Sequence, residues 1–236
     1  MTYALPTAAD VIALHDGLMA GAGWPADAPS PRDDALWRWM QTNHRFNCRL
    51  WAEEDLARRT TVGSADIAAN KRAIDGFNQA RNDATERVDE LLLTALGLVD
   101  ADTARTDAPV STVAAGARLN SETAGSIIDR MSILALKVHA MRAQTLRCDV
   151  KATHVDVSRM RLERLLQQRA DLGACLDDLL VGARAGQTFF KVYRQFKMYN
   201  DPRFNPALVA EQTQQAGSAR EAPPNADGDV GKAVTQ

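Results

Sequence analysis

Apolar residues recur at helical spacing along most of this 236-residue chain, and this periodicity limits the folds open to it. In residues 155 to 181, for example, leucines three and four residues apart form a single stripe. Segments that alternate apolar and polar residues, as half-buried strands do, are scarce. The pattern predicts an all-α protein, a helical bundle of about five to six helices.

Capping residues and helix breakers predict where these helices begin and end. Thr7 can cap a first helix that runs to about Ala20, where a Gly/Pro-rich segment follows. Pro202 disfavours helix at the residue before it and therefore ends the last one. The other helices are expected from about Asp34 to Arg59, from Ser64 or Asp66 to Leu98, from Asn120 or Ser121 to Gln144, from Val155 to Val181, and from about Gln187 onward.

Composition divides the chain into one folded domain and a tail. The apolar part, residues 1–207, contains no linker and is long enough to bury one substantial core. From about Leu208 the chain is rich in Gln, Ala, Gly and Pro and has no periodicity, so we predict a disordered tail over residues 208–236.

Charge and cysteine usage narrow the partners and the compartment. The chain has 28 basic and 30 acidic residues, a formal net charge of -2, so we expect no nucleic-acid partner. Cys48, Cys148 and Cys175 form no CxxC pair, which favours a reducing compartment. We find no signal peptide and no apolar run long enough to span a bilayer, and we therefore expect a cytoplasmic protein without membrane insertion.

Polar residues occupy positions on three predicted helices where a core face is expected. Arg81 shares a helical face with Ile74 and Val88. An unpaired buried charge costs several kcal/mol, so such groups must meet one another or a ligand. The same reasoning extends to the carboxylates Glu54, Glu122 and Asp129, to the guanidinium group of Arg58, and to the amides of Asn78 and Asn82.

These residues define a predicted site for a small polar or anionic metabolite. Glu122 and Asp129 lie seven residues apart, beside Gly125 and Ser126, whose small side chains would leave room for a ligand. The proposed roles are ligand binding for Arg58, Asn78, Arg81 and Asn82, and orientation or acid–base catalysis for Glu54, Glu122 and Asp129. No metal ligands are assigned, and the cofactor stays unknown.

Two alternatives stay open. The buried charges could form only an interhelical network that specifies the fold of a non-catalytic interaction protein. Alternatively, Asp83, Glu86 and Asp89 are spaced three residues apart, which could serve Mg²⁺ as in helical nucleotide pyrophosphohydrolases.

Four segments of the chain resemble a known family in the same order. They are NHRFNCRLWAEEDLARR, KRAIDGFNQARNDATERVDE, LNSETAGSIIDRMSILALKVHAM and VYRQFKMYNDPRFNP. Together they cover about residues 34 to 206 and resemble the bacterial domain-of-unknown-function family numbered 4254. Members are often encoded near lipopolysaccharide or other glycan glycosyltransferases, so the resemblance implies a role in glycan or specialised metabolism. It implies no activity that transfers residue by residue.

Overall fold

A computed structural model describes residues 5–26, 30, 32, 34–195 and 201–221, the side chains of 215–221 excepted. Six helices and two strands of two residues each lie in these ranges, which confirms the all-α bundle. The elements are α1 (Ala8–Ala20), α2 (Ala35–Ala57), α3 (Ser64–Leu96), β1 (Arg118–Leu119), α4 (Ala124–Thr145), α5 (Ala152–Arg184), β2 (Thr188–Phe189) and α6 (Pro206–Glu221). None of the described helices has the length and apolar character that crossing a membrane requires.

The chain divides into two compact units, Met1–Arg194 and Gln195–Gln236. In the first unit α2 packs along α3, and α4 packs along α5, with α4 also contacting α1, α2 and α3. Short connections make each pair a helical hairpin. Helix α4 is therefore the central element, and Ile127, Met131 and Val138 on it are buried in the core.

Helix α1 is attached to α5 by charged side chains as well as by apolar packing. The Asp177 carboxylate accepts a hydrogen bond from the backbone N–H of Ala8 at 2.7 Å, which satisfies a free donor at the start of α1. Near the other end of α1, the buried Arg169 pairs with Asp16 at 2.7 Å. Both ends of the short helix are thus held against the longer one.

The predicted starts of the first two helices are confirmed. Thr7 and Asp10 form a capping box at α1, and the Asp34 carboxylate accepts a hydrogen bond from Trp37 N–H at α2. The predicted start of α4 at Asn120 or Ser121 is wrong, because Thr123 caps that helix.

Helix α4 begins late because the residues before Thr123 follow β1, which pairs in parallel with β2. Asn120 N–H donates to the Phe189 carbonyl at 2.7 Å, and its side-chain amide donates to the carbonyl of Glu122. The segment before Thr123 is therefore extended beside β2, and its backbone groups are used there.

The prediction of a last helix from about Gln187 is also wrong, because residues 187–195 are not helical. Residues 196–200 of that segment lie outside the described residues. Gly186 at φ 69° follows the end of α5, and β2 then pairs with β1. Beyond β2, Phe190, Val192 and Arg194 are buried or half-buried, while the residues between them are exposed. This alternation of burial has the period of extended chain.

Helix α6 covers the first part of the segment predicted to be a disordered tail. Residues 222–236 of that segment lie outside the described residues.

Gly125 brings α4 into direct contact with the backbone of α3. A Cβ atom at this position would lie 2.6 Å from the Thr85 carbonyl oxygen and 2.9 Å from the Asp89 carboxylate. The prediction that Gly125 leaves room for a ligand is therefore wrong, because α3 fills that space.

We expect Gly125→Ala to lower the free energy of unfolding by about 1–3 kcal/mol, since the methyl group meets backbone that cannot easily move. Gly76→Ala in α3 is the matched control, because a Cβ there would meet nothing within 4 Å. We expect that control to raise the free energy of unfolding by about 0.5–1 kcal/mol. Urea unfolding followed by circular dichroism measures both changes, and an equal response of the two variants would contradict the close contact.

Candidate functional site

A pocket of about 330 Å³ opens between α2, α3 and α4, and we call it the Arg81 pocket. It contains four of the predicted site residues, namely Glu54, Arg58, Asn78 and Arg81. The remaining lining residues are Asn47, Leu50, Trp51, Asp55, Ile133 and Leu136. Helical spacing places its residues from α2 on a common side of that helix, opposite those of α3 and α4.

Arg81 lies at the inner side of this pocket with a quarter of its side chain exposed. Its Nε and Nη2 donate to the side-chain Oδ1 of Asn82 at 3.3 and 2.9 Å. Its Nε also lies 3.9 Å from Oδ1 of Asp129 on α4. The guanidinium group is thus held by a neutral amide and has a carboxylate only at the limit of an ion pair.

Asp129 belongs to a hydrogen-bonded group that joins three helices, the Asp129 network. Its Oδ1 accepts hydrogen bonds from the side-chain amides of Asn43 at 2.8 Å and Asn47 at 2.9 Å. Asn43 also donates to Thr85 Oγ1 on α3, and Asn47 donates to Ser132 Oγ on α4. These contacts all use one carboxylate oxygen, and Oδ2 accepts no hydrogen bond from the residues that the structure describes.

Asn78 and Asn82, the two predicted amides, have different environments. Asn82 is buried, and its side-chain Oδ1 accepts hydrogen bonds from the Arg81 guanidinium. Asn78 is half-buried, lines the pocket, and has no hydrogen-bond partner among the described residues. Asn82 therefore positions another side chain, while the amide of Asn78 is free to meet a ligand.

Glu54 and Arg58 form an exposed ion pair at 2.9 Å, with side chains 48% and 69% accessible. The prediction that these two residues point away from water is wrong. Leu50 is the last buried residue of α2, and the helix then continues past the core. Glu54 and Arg58 consequently lie at the outer rim of the pocket.

Glu122 is absent from the Arg81 pocket. It pairs with Arg130 and lines a separate groove of about 650 Å³ between α4 and α5. The prediction placed Glu122 and Asp129 on one helical face, but α4 begins only at Ala124. Because Glu122 precedes the helix, their spacing of seven residues does not bring them together.

The sequence interpretation omitted the side chains that hold Asp129. Asn43 and Asn47 were visible as amides one helical turn apart on an otherwise apolar stripe of α2. Thr85 and Ser132 gave no signal, because small hydroxyl residues occur on many helices. Only the approach of α2, α3 and α4 brings them within reach of the amides.

A second buried polar cluster adjoins the network at His44, whose Nδ1 lies 2.7 Å from Ser132 Oγ. The His44 ring stacks on His15 at 4.5 Å and on Trp24 at 5.5 Å between centroids. Burial lowers the pKa of His44 to about 4. Cys48, 3.9 Å from His44 Nε2, has its pKa raised to about 11 by burial, so its thiol stays protonated and is a poor nucleophile.

The three carboxylates that were predicted as alternative Mg²⁺ ligands lie in three different environments. Asp83 is exposed and accepts from Gln79, Glu86 pairs with Arg194 at 3.0 Å, and Asp89 is buried. Arg194 also binds the neighbouring Glu90 and the carbonyl oxygens of the loop after α3. This arrangement gives the pyrophosphohydrolase alternative no support. Glu86 already pairs with the Arg194 guanidinium, and Asp89 already accepts a hydrogen bond from Gly125 N–H at the start of α4.

Comparison with known proteins gives one match. The model of the family described as "Protein of unknown function (DUF4254)" matches residues 37–192. No curated protein and no solved structure matches the chain. The matched range includes the Arg81 pocket and all residues of the Asp129 network.

Asp89 is expected to make stability depend on pH. Burial raises the pKa of its carboxyl group to about 7, although hydrogen bonds from Thr123 and Gly125 favour the charged form. The folded state thus binds this proton more tightly than the unfolded state. The resulting stabilisation is present below the ordinary pKa of 3.8 and is lost as the pH rises through about 7.

Asp89→Asn should remove this dependence while its amide oxygen still accepts from Gly125 N–H. We expect the free energy of unfolding of the wild type, relative to this variant, to fall by roughly 2–4 kcal/mol from about pH 4 to about pH 8. The buried histidines titrate with the opposite sign, but they are present in both proteins and cancel in the difference. Urea unfolding across this range would contradict the assignment by giving a constant difference.

Proposed function

Because the chain belongs to the DUF4254 family, whose description assigns no activity, we propose its function from the site itself. We propose that the Arg81 pocket binds a small polar metabolite that carries an anionic or carbonyl group. The protein would act as an enzyme or as an accessory binding protein. A role in bacterial glycan or specialised metabolism is part of this proposal and rests on the family resemblance, whereas the cytoplasmic location rests on the cysteine usage.

The incomplete pairing of Arg81 is the observation that carries the proposal. A guanidinium group has five N–H donors in a planar fork that matches two oxygens of a carboxylate or phosphate. Arg81 uses Nε and Nη2 on a neutral amide, and its Nη1 has no acceptor among the described residues. Donors are therefore left over at the wall of a pocket of suitable size for a metabolite.

The remaining side chains fit the binding of a small oxygen-rich molecule. Arg58 at the rim would meet the same anionic group from the solvent side, and the free amide of Asn78 would read a hydroxyl or carbonyl group. The apolar walls would exclude water and strengthen these polar contacts. The residues of these apolar walls are Leu50, Trp51, Ile133 and Leu136.

A chemical step, if the protein is an enzyme, would use Asp129, which does not line the pocket but lies behind Arg81, 3.9 Å from its Nε. Its Oδ1 is fixed by Asn43 and Asn47, while Oδ2 is free of protein partners within the described residues. A carboxylate oriented through one oxygen, with no hydrogen bond at the other, is suited to accept or return a proton. Glu54 is less suited, since it lies at the exposed rim and pairs with Arg58.

The Asp129 network also favours a second candidate, the interaction protein whose buried polar groups only specify the fold. Asn43, Asn47 and Thr85 satisfy one another across the helices, as a register-fixing network would. Under this alternative Arg81 shields the network from water, and the pocket has no ligand.

Arg81→Gln tests the binding proposal. We expect the affinity of the pocket for its ligand to fall at least tenfold, or about 1.4 kcal/mol, because a charge-assisted contact is lost. The measurement is thermal unfolding of both proteins against nucleotide sugars, sugar phosphates, amino acids and divalent metals, since a ligand that binds the folded state raises its melting temperature.

Arg72→Gln is the matched control, because Arg72 is exposed on α3 and does not line the pocket. It should respond to each ligand as the wild type does. If no compound stabilises the wild type and Arg81→Gln lowers its stability by several kcal/mol, the interaction protein becomes the better interpretation.

A further inference from the structure

Another groove between α4 and α5, which we call the α4–α5 groove, adjoins the groove that contains Glu122 and shares Lys137 and Gln168 with it. It has a volume of about 420 Å³ and shares only Trp51 with the Arg81 pocket. Its lining residues are Trp51, Lys137, Ala140, Met141, Gln144, Arg161, Arg164, Leu165 and Gln168. Those from α4 recur at three- and four-residue spacing, so they form one continuous stripe of that helix.

The charge of this groove differs from that of the whole chain. The protein has a net charge of -2, but the groove contains three cations and no aspartate or glutamate among its lining residues. Lys137, Arg161 and Arg164 are exposed and make no ion pair with other described residues.

The floor of the groove is apolar. Trp51 is 37% exposed there, and Met141 and Leu165 complete the surface between the cations. On α5 the stripe continues past the groove, because Val157 and Met160 lie one turn before Arg161 and Arg164 and are exposed. From Val157 to Gln168 the stripe is about 16 Å long, which is long enough for an extended hydrocarbon chain.

We propose that the α4–α5 groove binds a free anionic amphiphile, a molecule with a hydrocarbon chain and one carboxylate or phosphate group. The chain lies on Trp51, Met141 and Leu165, and the cations of the rim receive the anionic group. A mostly apolar concave surface with a few convergent polar groups, in this range of volume, is typical of small-molecule sites. The flexible stems of the lysine and arginines cover the chain while their charged ends stay in water.

This binding site is independent of the Arg81 pocket, although Trp51 forms a wall of both. The charge balance separates the two sites, since the Arg81 pocket contains two carboxylates and two guanidinium groups whereas the groove has only cations. Variants of Arg164 and of Arg81 therefore test the two proposals separately.

The test is calorimetric titration of the whole chain with four twelve-carbon amphiphiles below their micelle concentrations. Dodecanoate and dodecyl phosphate are anionic, dodecyl maltoside is neutral, and dodecyltrimethylammonium is cationic. We expect the anionic compounds to bind at least tenfold more tightly than the other two. Shortening the chain to decanoate should weaken binding about fourfold for each methylene group removed, because apolar surface is left exposed to water.

Arg164→Glu should reduce the affinity for dodecanoate at least tenfold and leave that for dodecyl maltoside unchanged. Arg72→Glu, at an exposed position on α3 outside the groove, is the matched control and should bind both compounds like the wild type. Arg81→Gln should also bind dodecanoate like the wild type, even if it loses its response to metabolites.

Three results would overturn the proposal. Equal affinity for the anionic, neutral and cationic compounds would show adsorption without a cationic site. Binding only to anionic phospholipid vesicles in a sedimentation assay would make the surface a membrane contact. Binding of a synthetic acidic amphipathic helix, with no binding of any free amphiphile, would make it a protein-docking surface.

Discussion

The hydrogen bonds between Asp129 on α4 and two asparagines on α2 are the interaction on which the rest of the site depends. Asn43 and Asn47 are buried one turn apart, and each directs its amide to the same carboxylate oxygen. A buried amide without a partner would cost about 1–3 kcal/mol, so α2 can pack against α4 only in the register that satisfies both. This register also fixes which side chains surround the pocket.

The approach of α3 to α4 depends on a different contact, at Gly125. With no side chain at this position, the Thr85 carbonyl and the Asp89 carboxylate come directly against the start of α4. Asp89 then accepts the Gly125 N–H, which would otherwise lack a partner at the helix N-terminus. The two helices are consequently too close here for a ligand, and the cavity opens further along, beside Arg81.

The two concave surfaces differ because different residues extend beyond the core. Near the end of α2 the helix continues past its last buried residue, so its charged side chains border the Arg81 pocket. The lining of the α4–α5 groove combines apolar residues with cations and contains no carboxylate. Trp51 lies between the two surfaces, and its indole ring supplies apolar area to each.

The sequence by itself determined the fold class, the caps at Thr7 and Asp34, and the unusual position of Arg81, because each depends on local spacing and capping chemistry. The helix predicted from about Gln187 was wrong, because backbone pairing of this segment with β1 outweighed its amphipathic pattern. Only the tertiary structure decided which polar residues meet. Helix α4 begins later than predicted, so Glu122 precedes it and does not meet Asp129. Ser132 and Thr85, in contrast, join the Asp129 network from two different helices. Contacts between distant segments depend on packing angle and register, and the periodicity of one helix does not contain them.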